Sequence, residues 1–298
     1  MEAKQQRAII SDIKYEFQYY NENLRIRKSD FILGSLDYEH KFKNEAELSS
    51  SILYEYTLLG GPTTNRNLGY PDNSIIYQDE YNTNNNPLYG LRINLDYQFR
   101  PHSNGTFEIG YQYRNLDHTG DFVYKRKNNI NQIFELVPEF SSEVNLKRSI
   151  HSGYLQYNGS FERWSIASGL RVENMQRDLS LKDKSGLVNE DYSLNFIKMF
   201  PSASINYEIN SKASIKLAYS KRIDRTTTYK MNPFPEREHS ETLEQGDPNL
   251  HPEFIDQLEI GINFKNNRGS SLFSTIYYRN VDNLINRVNT VYNDTILN

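Results

Sequence analysis

Few residues in this chain are spaced for chemistry. Arg222 and Arg225 stand three apart at the end of a strand-like run, and six histidines occur at 40, 102, 118, 151, 239 and 251. A guanidinium pair can hold an anionic ligand, a carboxylate of a neighbouring domain or a lipopolysaccharide phosphate through charge-assisted hydrogen bonds. The same pair can also be two structural charges at a strand end, and that is the preferred reading. The histidines show no metal-ligand spacing. His239 lies among Glu236, Glu238, Glu241 and Glu244, a set rich enough in oxygen for a hard cation, but a solvated acidic loop has the same composition and is preferred. Cysteine is absent, which removes disulfides and thiolate metal sites. No phosphate-cradling glycine loop or nucleophile elbow is present. No catalytic residue, metal or cofactor is expected.

The elements that carry these residues alternate apolar and polar side chains with period two, the mark of strands with unlike faces. The clearest covers 88–99, where Leu91, Ile93, Leu95, Tyr97 and Phe99 oppose Arg92, Asn94, Asp96 and Gln98. Further strands are expected at 9–20, 31–41, 46–56, 107–113, 149–161, 164–172, 201–209, 213–222 and 255–265, and one more after the tight turn at 266–269, ending at Asn280. That makes about eleven, each of roughly 10–13 residues. Short turns alternate with long loops at 57–87, 115–147, 176–196 and 223–252. All ten prolines fall in the expected loops, turns or strand starts, where a residue without an amide proton does least harm.

Composition separates a membrane sheet from a soluble one. The 298 residues hold 23 Tyr and 15 Phe against a single Trp, and both types favour strands, Tyr also favouring membrane–water interfaces. No run of about 18 apolar residues exists, so a transmembrane helix is excluded, but barrel strands, apolar on one face only, are not. Phe42, Phe99, Phe107, Phe161, Trp164, Tyr207, Phe264 and Phe273 lie near the short turns, and Tyr19, Tyr56, Tyr113 and Tyr278 near the long loops. Leu36, Ile93, Leu95, Leu155, Leu170, Leu217 and Ile260 fall between. Two aromatic girdles around an aliphatic belt predict a lipid-facing surface. The opposite faces carry Arg92, Asp96, Glu108, Arg114, Arg171, Glu173, Glu208, Lys216, Arg222, Glu259 and Lys265, charges tolerable at bilayer depth only toward a wet lumen or a plug. A net charge of −4 argues against nucleic acid as a partner. The expectation is an all-β protein, an antiparallel up-and-down transmembrane β-barrel.

The stretch 213–279 resembles the C-terminal half of TonB-dependent outer-membrane receptors, and most closely the outer-membrane β-barrel family common in Bacteroidetes. The residues that carry the resemblance are Tyr219-Ser-Lys-Arg-Ile-Asp-Arg225, Met231-Asn-Pro-Phe234, Gly246-Asp-Pro-Asn-Leu-His-Pro-Glu253, Glu259-Ile-Gly261 and Tyr277-Tyr-Arg279. Where that family usually has Pro after the second arginine and Asn after the glycine, this chain has Thr226 and Asp247. The resemblance implies an external loop motif with a structural role, made of Arg222, Arg225, Asn232, Pro233, Phe234, Gly246, Pro248, Asn249, Leu250, Pro252 and Glu253. It also implies location in the outer membrane of a Gram-negative cell, contact with outer-membrane lipid, and a plug and a TonB system as partners in the full protein.

The first seven residues are not followed by the apolar core of a secretory signal, and the last nine read as a loop leading toward another strand. The chain is therefore expected to be a single barrel domain, residues 1–298, incomplete at both ends, and the resemblance implies that it is about half of a 22-stranded receptor barrel. Uptake of a nutrient or siderophore-like extracellular ligand is the leading functional expectation. An adhesin, assembly or secretion platform without active uptake is the alternative. A soluble all-β binding protein is a third, and it requires the aliphatic belt to be buried.

Overall fold

A computed structural model of the chain describes residues 7–12, 15–102, 104–239, 242–266 and 268–288. Its frame is one antiparallel sheet of 13 strands. The first six are β1 (Arg7–Asp12), β2 (Tyr15–Arg25), β3 (Lys28–Lys41), β4 (Glu47–Gly69), β5 (Ile76–His102) and β6 (Gly105–Lys127). There follow β7 (Phe134–Leu136), β8 (Ser142–Phe161), β9 (Trp164–Asp183), β10 (Asn189–Asn210) and β11 (Ala213–Asp224). A single helical turn, α1 (Thr228–Met231), and a small separate hairpin, β12 (Glu236–His239) and β13 (Thr242–Glu244), precede β14 (Glu253–Lys265) and β15 (Ser271–Asp282). The sheet follows chain order, β1-β2-β4-β5-β6-β8-β9-β10-β11-β14-β15, with β3 paired to β4 and β7 to β6 off this path. The up-and-down topology is the expected one. No helix among the described residues is long and apolar enough to cross a membrane; the strands do so.

Three details differ from the sequence expectation. The strand expected at 9–20 is two, β1 folding back on β2 so that Asp12 pairs with Tyr15. The next expected strand is then no separate lane. β2 pairs with β4 from Tyr19↔Gly69 to Arg25↔Thr63, and β3 continues in the same register from Lys28↔Gly60. The two are one strand broken at Ile26 and Arg27, where the Ile26 amide donates to the Pro62 carbonyl at 2.9 Å. The expected count of eleven survives as the eleven positions along the sheet, with this different membership.

The second difference is strand length. Most of the expected loops at 57–87, 115–147 and 176–196 are strand, because β4, β5, β6, β9 and β10 run on to 20–27 residues. Beyond the bilayer both sheet faces meet water or protein, so no alternation is required and polar runs such as residues 82–86 still complete a ladder. Consequently Pro62, Pro87, Pro101 and Pro201 lie inside strands. Three of them sit where a partner ladder stops: Pro62 between the β2 and β3 pairings, Pro87 in a gap of the β5–β6 ladder, Pro201 just before β10 meets β11. A missing amide costs little there. Only 223–252 is mainly irregular, as expected.

The third concerns Tyr19. It is fully buried on the inner face and does not belong to the outer girdle. The other apolar expectations hold. Leu36 is 71% exposed, Leu155 48% and Ile260 49%, so the belt faces outward and the soluble reading fails. Near the short turns an aromatic chain runs Phe42–Tyr97–Phe99–Phe107–Tyr157, with centroid separations of 4.8–6.3 Å, and Trp164 meets Tyr207 at 4.4 Å. The opposite rim has Tyr56 on Tyr89 at 5.1 Å and Tyr113 on His151 at 4.8 Å. From Tyr89 to Tyr97 the strand rises about 26 Å at ~3.3 Å per residue, which at a tilt of ~40° covers roughly 20 Å, most of the ~25 Å apolar band of an outer-membrane barrel.

The short turns are tight. Phe161 pairs with Trp164, leaving a two-residue connection in which Glu162 takes φ 49°, the left-handed conformation such a hairpin needs.

Candidate functional site: the inward-folded 225–252 segment

After β11 the chain turns into the concave side of the sheet. Thr227 begins α1, its side chain accepting from the Lys230 amide. Met231 and Phe234 then bury against Val144 and Leu146 of β8 and Leu179 and Leu181 of β9. Leu116, Phe122, Val188, Tyr192 and Leu250 complete this cluster. It is the main apolar core of the described molecule, and it lies between an external segment and the inner wall, above the bilayer.

The polar fastening is Arg177 of β9. Its Nη1 donates to Thr226 Oγ1 at 3.1 Å and to the Leu250 carbonyl at 2.9 Å, and it lies 3.1 Å from Met231 Sδ. One guanidinium thus ties the start, the helical turn and the end of the segment. Arg225 reaches Glu173, a carboxylate with no solvent exposure that also pairs with Arg171. Removing either arginine would leave part of this buried charge uncompensated, which is strongly destabilising.

The turn closes on itself. The Gly246 amide donates to the Asn232 carbonyl at 2.6 Å and the Asp247 amide to the Lys230 carbonyl at 3.0 Å. A Cβ at Gly246 would sit 2.3 Å from the Lys230 oxygen and 2.9 Å from the Asn232 nitrogen. That is why glycine stands there. Asn232 is buried, and its Oδ1 accepts from the Phe234 amide at 3.1 Å across Pro233. Pro248 and Pro252 are buried, whereas Asn249 is exposed. Glu253 Oε1 accepts from the Ile285 amide at 2.7 Å, and the Pro252 carbonyl from Asn283 Nδ2 at 3.2 Å, which fixes the chain beyond β15 to the same turn.

The two departures from the resembled pattern have local reasons. Thr226 supplies the hydroxyl that Arg177 grips, which a proline could not. Asp247 Oδ1 accepts from the Asn249 amide at 2.9 Å, a side-chain turn that Asp and Asn make alike.

Of the eleven motif residues, Arg225, Asn232, Pro233, Phe234, Gly246, Pro248, Leu250, Pro252 and Glu253 come together. Arg222 does not: it is exposed and donates to Gln257 Oε1 at 2.6 Å. Asn249 lies at the edge. The acidic set around His239 lies, but for Glu244, outside the described side chains, and residues 290–298 lie outside the described residues. Among the described residues no group of three or more His, Asp or Glu side chains could hold a metal. Sequence reasoning missed Arg177 because 176–196 reads as loop. Its signal was present, since Met175, Leu179 and Leu181 alternate with Gln176, Asp178 and Ser180.

The family model described as outer membrane protein beta-barrel family matches residues 40–298. The chain belongs to that family. It is an outer-membrane barrel protein, a class of membrane barrels and not of enzymes. No curated protein matches the chain. Among solved structures, the siderophore receptor PiuA from Acinetobacter baumannii is 12% identical, with a TM-score of 0.61 over 88% of this chain and 46% of that one. The unliganded ferric citrate transporter FecA is 12% identical, with a TM-score of 0.58 over 94% and 42%. The ferric yersiniabactin uptake receptor FyuA from Yersinia pestis is 9% identical, with a TM-score of 0.52 over 90% and 46%. At these identities the likeness is one of fold. The family member spans less than half the length of each of these receptors.

Proposed function

We propose that this family member forms part of an outer-membrane receptor for TonB-dependent uptake of a nutrient or siderophore-like ligand. In this reading its single domain is about half of a 22-stranded barrel, whose lumen receives a plug contacted by TonB. The observation that supports it most is the 225–252 segment, an external connection folded onto the concave wall and not out into solvent. A segment so placed narrows the mouth of the lumen and meets whatever enters it. The motif from Arg225 to Glu253 keeps that segment in place, a structural role. The strand tips at 70–75, 128–141 and 184–188, carried on rigid extensions, offer the first external contacts.

The test is growth on a panel of limiting nutrients, including iron chelates, cobalamin and oligosaccharides. Cells lacking the complete gene are expected to share one nutrient-specific defect with cells lacking TonB. A gene-specific uptake defect unaffected by loss of TonB would refute energised uptake. Loss of surface attachment with normal growth on every nutrient would favour the adhesin alternative.

A further inference from the structure

The inner wall carries like charges where a sheet should avoid them. Arg92 of β5 stands directly opposite Arg114 of β6, and Arg148 of β8 directly opposite Arg177 of β9. Like charges in directly opposed cross-strand positions are destabilising. Arg177 is accounted for by its contacts with the inward segment. The others are not. Among the described residues no carboxylate lies within ion-pair distance of Arg92, Arg114 or Arg148. The Nε atoms of Arg92 and Arg114 are buried without a hydrogen-bond partner, a costly state for a charged donor.

These three side chains and Arg225 line one pocket of about 140 Å³ in the wall, together with Glu55 as its one acidic lining residue. Glu55 Oε1 accepts from Thr57 Oγ1 at 3.2 Å. Arg225 is already paired with Glu173, so the three remaining guanidinium groups against one carboxylate leave two positive charges in excess. The pocket has room for one oxyanion group and is smaller than the ~300–1,000 Å³ of sites for drug-sized ligands. Guanidinium forks suit carboxylate and phosphate oxygens, which they can hold in pairs.

We propose that Arg92, Arg114 and Arg148 form an oxyanion-binding site in the wall of the lumen, bounded by Arg225 and specific for a carboxylate or phosphate group. The bound oxygens take the unused N–H groups and cancel the cross-strand repulsion. The oxyanion is either free or an acidic side chain from a domain filling the lumen, and one experiment separates the two. The site requires the barrel and the pocket but not energised uptake, so it fails or stands apart from the function proposed above.

The complete gene product, purified in detergent and checked for heat-modifiable migration, is unfolded thermally in chloride, in inorganic phosphate and in citrate at equal ionic strength. A free-anion site gives a midpoint raised by several degrees in phosphate or citrate, with the shift lost in Arg92→Gln, Arg114→Gln and Arg148→Gln. An internal carboxylate gives no anion response, but the same variants lower the midpoint in chloride. Arg222→Gln, outside the pocket, behaves as wild type in either case. The proposal is overturned if the three variants match wild type throughout. It is equally overturned if they raise the midpoint while wild type ignores the anions, since that is repulsion relieved in an empty pocket. Should a glutamine variant fail to assemble, the lysine variant carries the test. Lysine keeps the charge but loses the fork, and a several-fold weaker response to phosphate, or a lower midpoint in chloride if the carboxylate is internal, is expected. A lysine variant indistinguishable from wild type in both readouts overturns the proposal.

Discussion

Arg177 donates to the carbonyl oxygen of Leu250 at 2.9 Å across 73 residues of chain. The bond joins the inner wall of the sheet to the far end of an external segment, and it is made by a side chain only 4% exposed. Replacing Arg177 by Met keeps much of the apolar stem and removes the donors. The expected cost to the segment is about 2–3 kcal/mol, the worth of buried hydrogen bonds from a charged group. Hydrogen exchange should show it at the amides of Gly246 and Asp247, which bond across the turn, while β8 and β9 stay protected. Protection unchanged at those two amides would remove Arg177 from this role.

Gly246→Ala tests the turn from the other side. The added Cβ meets backbone atoms of Lys230 and Asn232 that have nowhere to go. A loss of roughly 1–3 kcal/mol is expected, as for other overpacked sites. Gly34→Ala is the control, with nothing within 4 Å of its Cβ. Proteolysis of 226–252 should quicken in the first variant only. Equal rates in both would mean that the turn relaxes without cost.

How much of this was legible follows from where a residue sits relative to the bilayer. Between the girdles one face must be apolar, and Leu91, Ile93, Leu95, Tyr97 and Phe99 announce their strand by alternation alone. Above them that constraint lapses. Asn82 to Asn86 pair with β4 as regularly as the residues below, yet nothing in their composition distinguishes a strand from a loop. The bend between β1 and β2 was hidden for a related reason, since residues 13 and 14 are Ile and Lys, with none of the usual turn residues. The motif was legible as a pattern, but its anchoring was not. Arg177 and Glu173 meet Thr226 and Arg225 only after the chain has folded back, and one sequence carries no sign of that meeting. Tyr19 shows the limit of aromatic banding, because a tyrosine at the right height can still point inward.

The tip at 70–75 makes a prediction about pH. The Ser74 hydroxyl donates to Asp72 Oδ1 at 2.6 Å and its amide does so at 3.0 Å. In that order of importance, these bonds hold the Asp72 carboxyl below its ordinary value. A carboxyl whose folded pKa lies below its unfolded one stabilises fully above the unfolded value, and the contribution fades as pH falls through the folded one. Tip order is therefore expected to persist at neutral pH and to loosen only below the ordinary carboxylate range near pH ~4. Ser74→Ala should move the Asp72 titration, followed by the carboxyl carbon in NMR, upward toward that range. Superimposable titration curves would refute the assignment.

The lipid-facing belt makes the last prediction. Leu95 and Leu155 lie between the girdles and are 47% and 48% exposed, while Ile130, at the external tip between β6 and β8, is 94% exposed. In water all three would tolerate arginine. In a bilayer they differ, because a charge near the midplane of a barrel's outer face costs about 2–4 kcal/mol and one beyond the interface almost nothing. Leu95→Arg and Leu155→Arg are expected to lower the yield of heat-modifiable protein in the outer membrane and to reduce the folding free energy in lipid vesicles by that amount. Ile130→Arg should match wild type in both. The contrast depends on solvent and not on packing, since all three side chains are exposed. Equal tolerance at Leu95, Leu155 and Ile130 would mean that the belt faces something other than lipid.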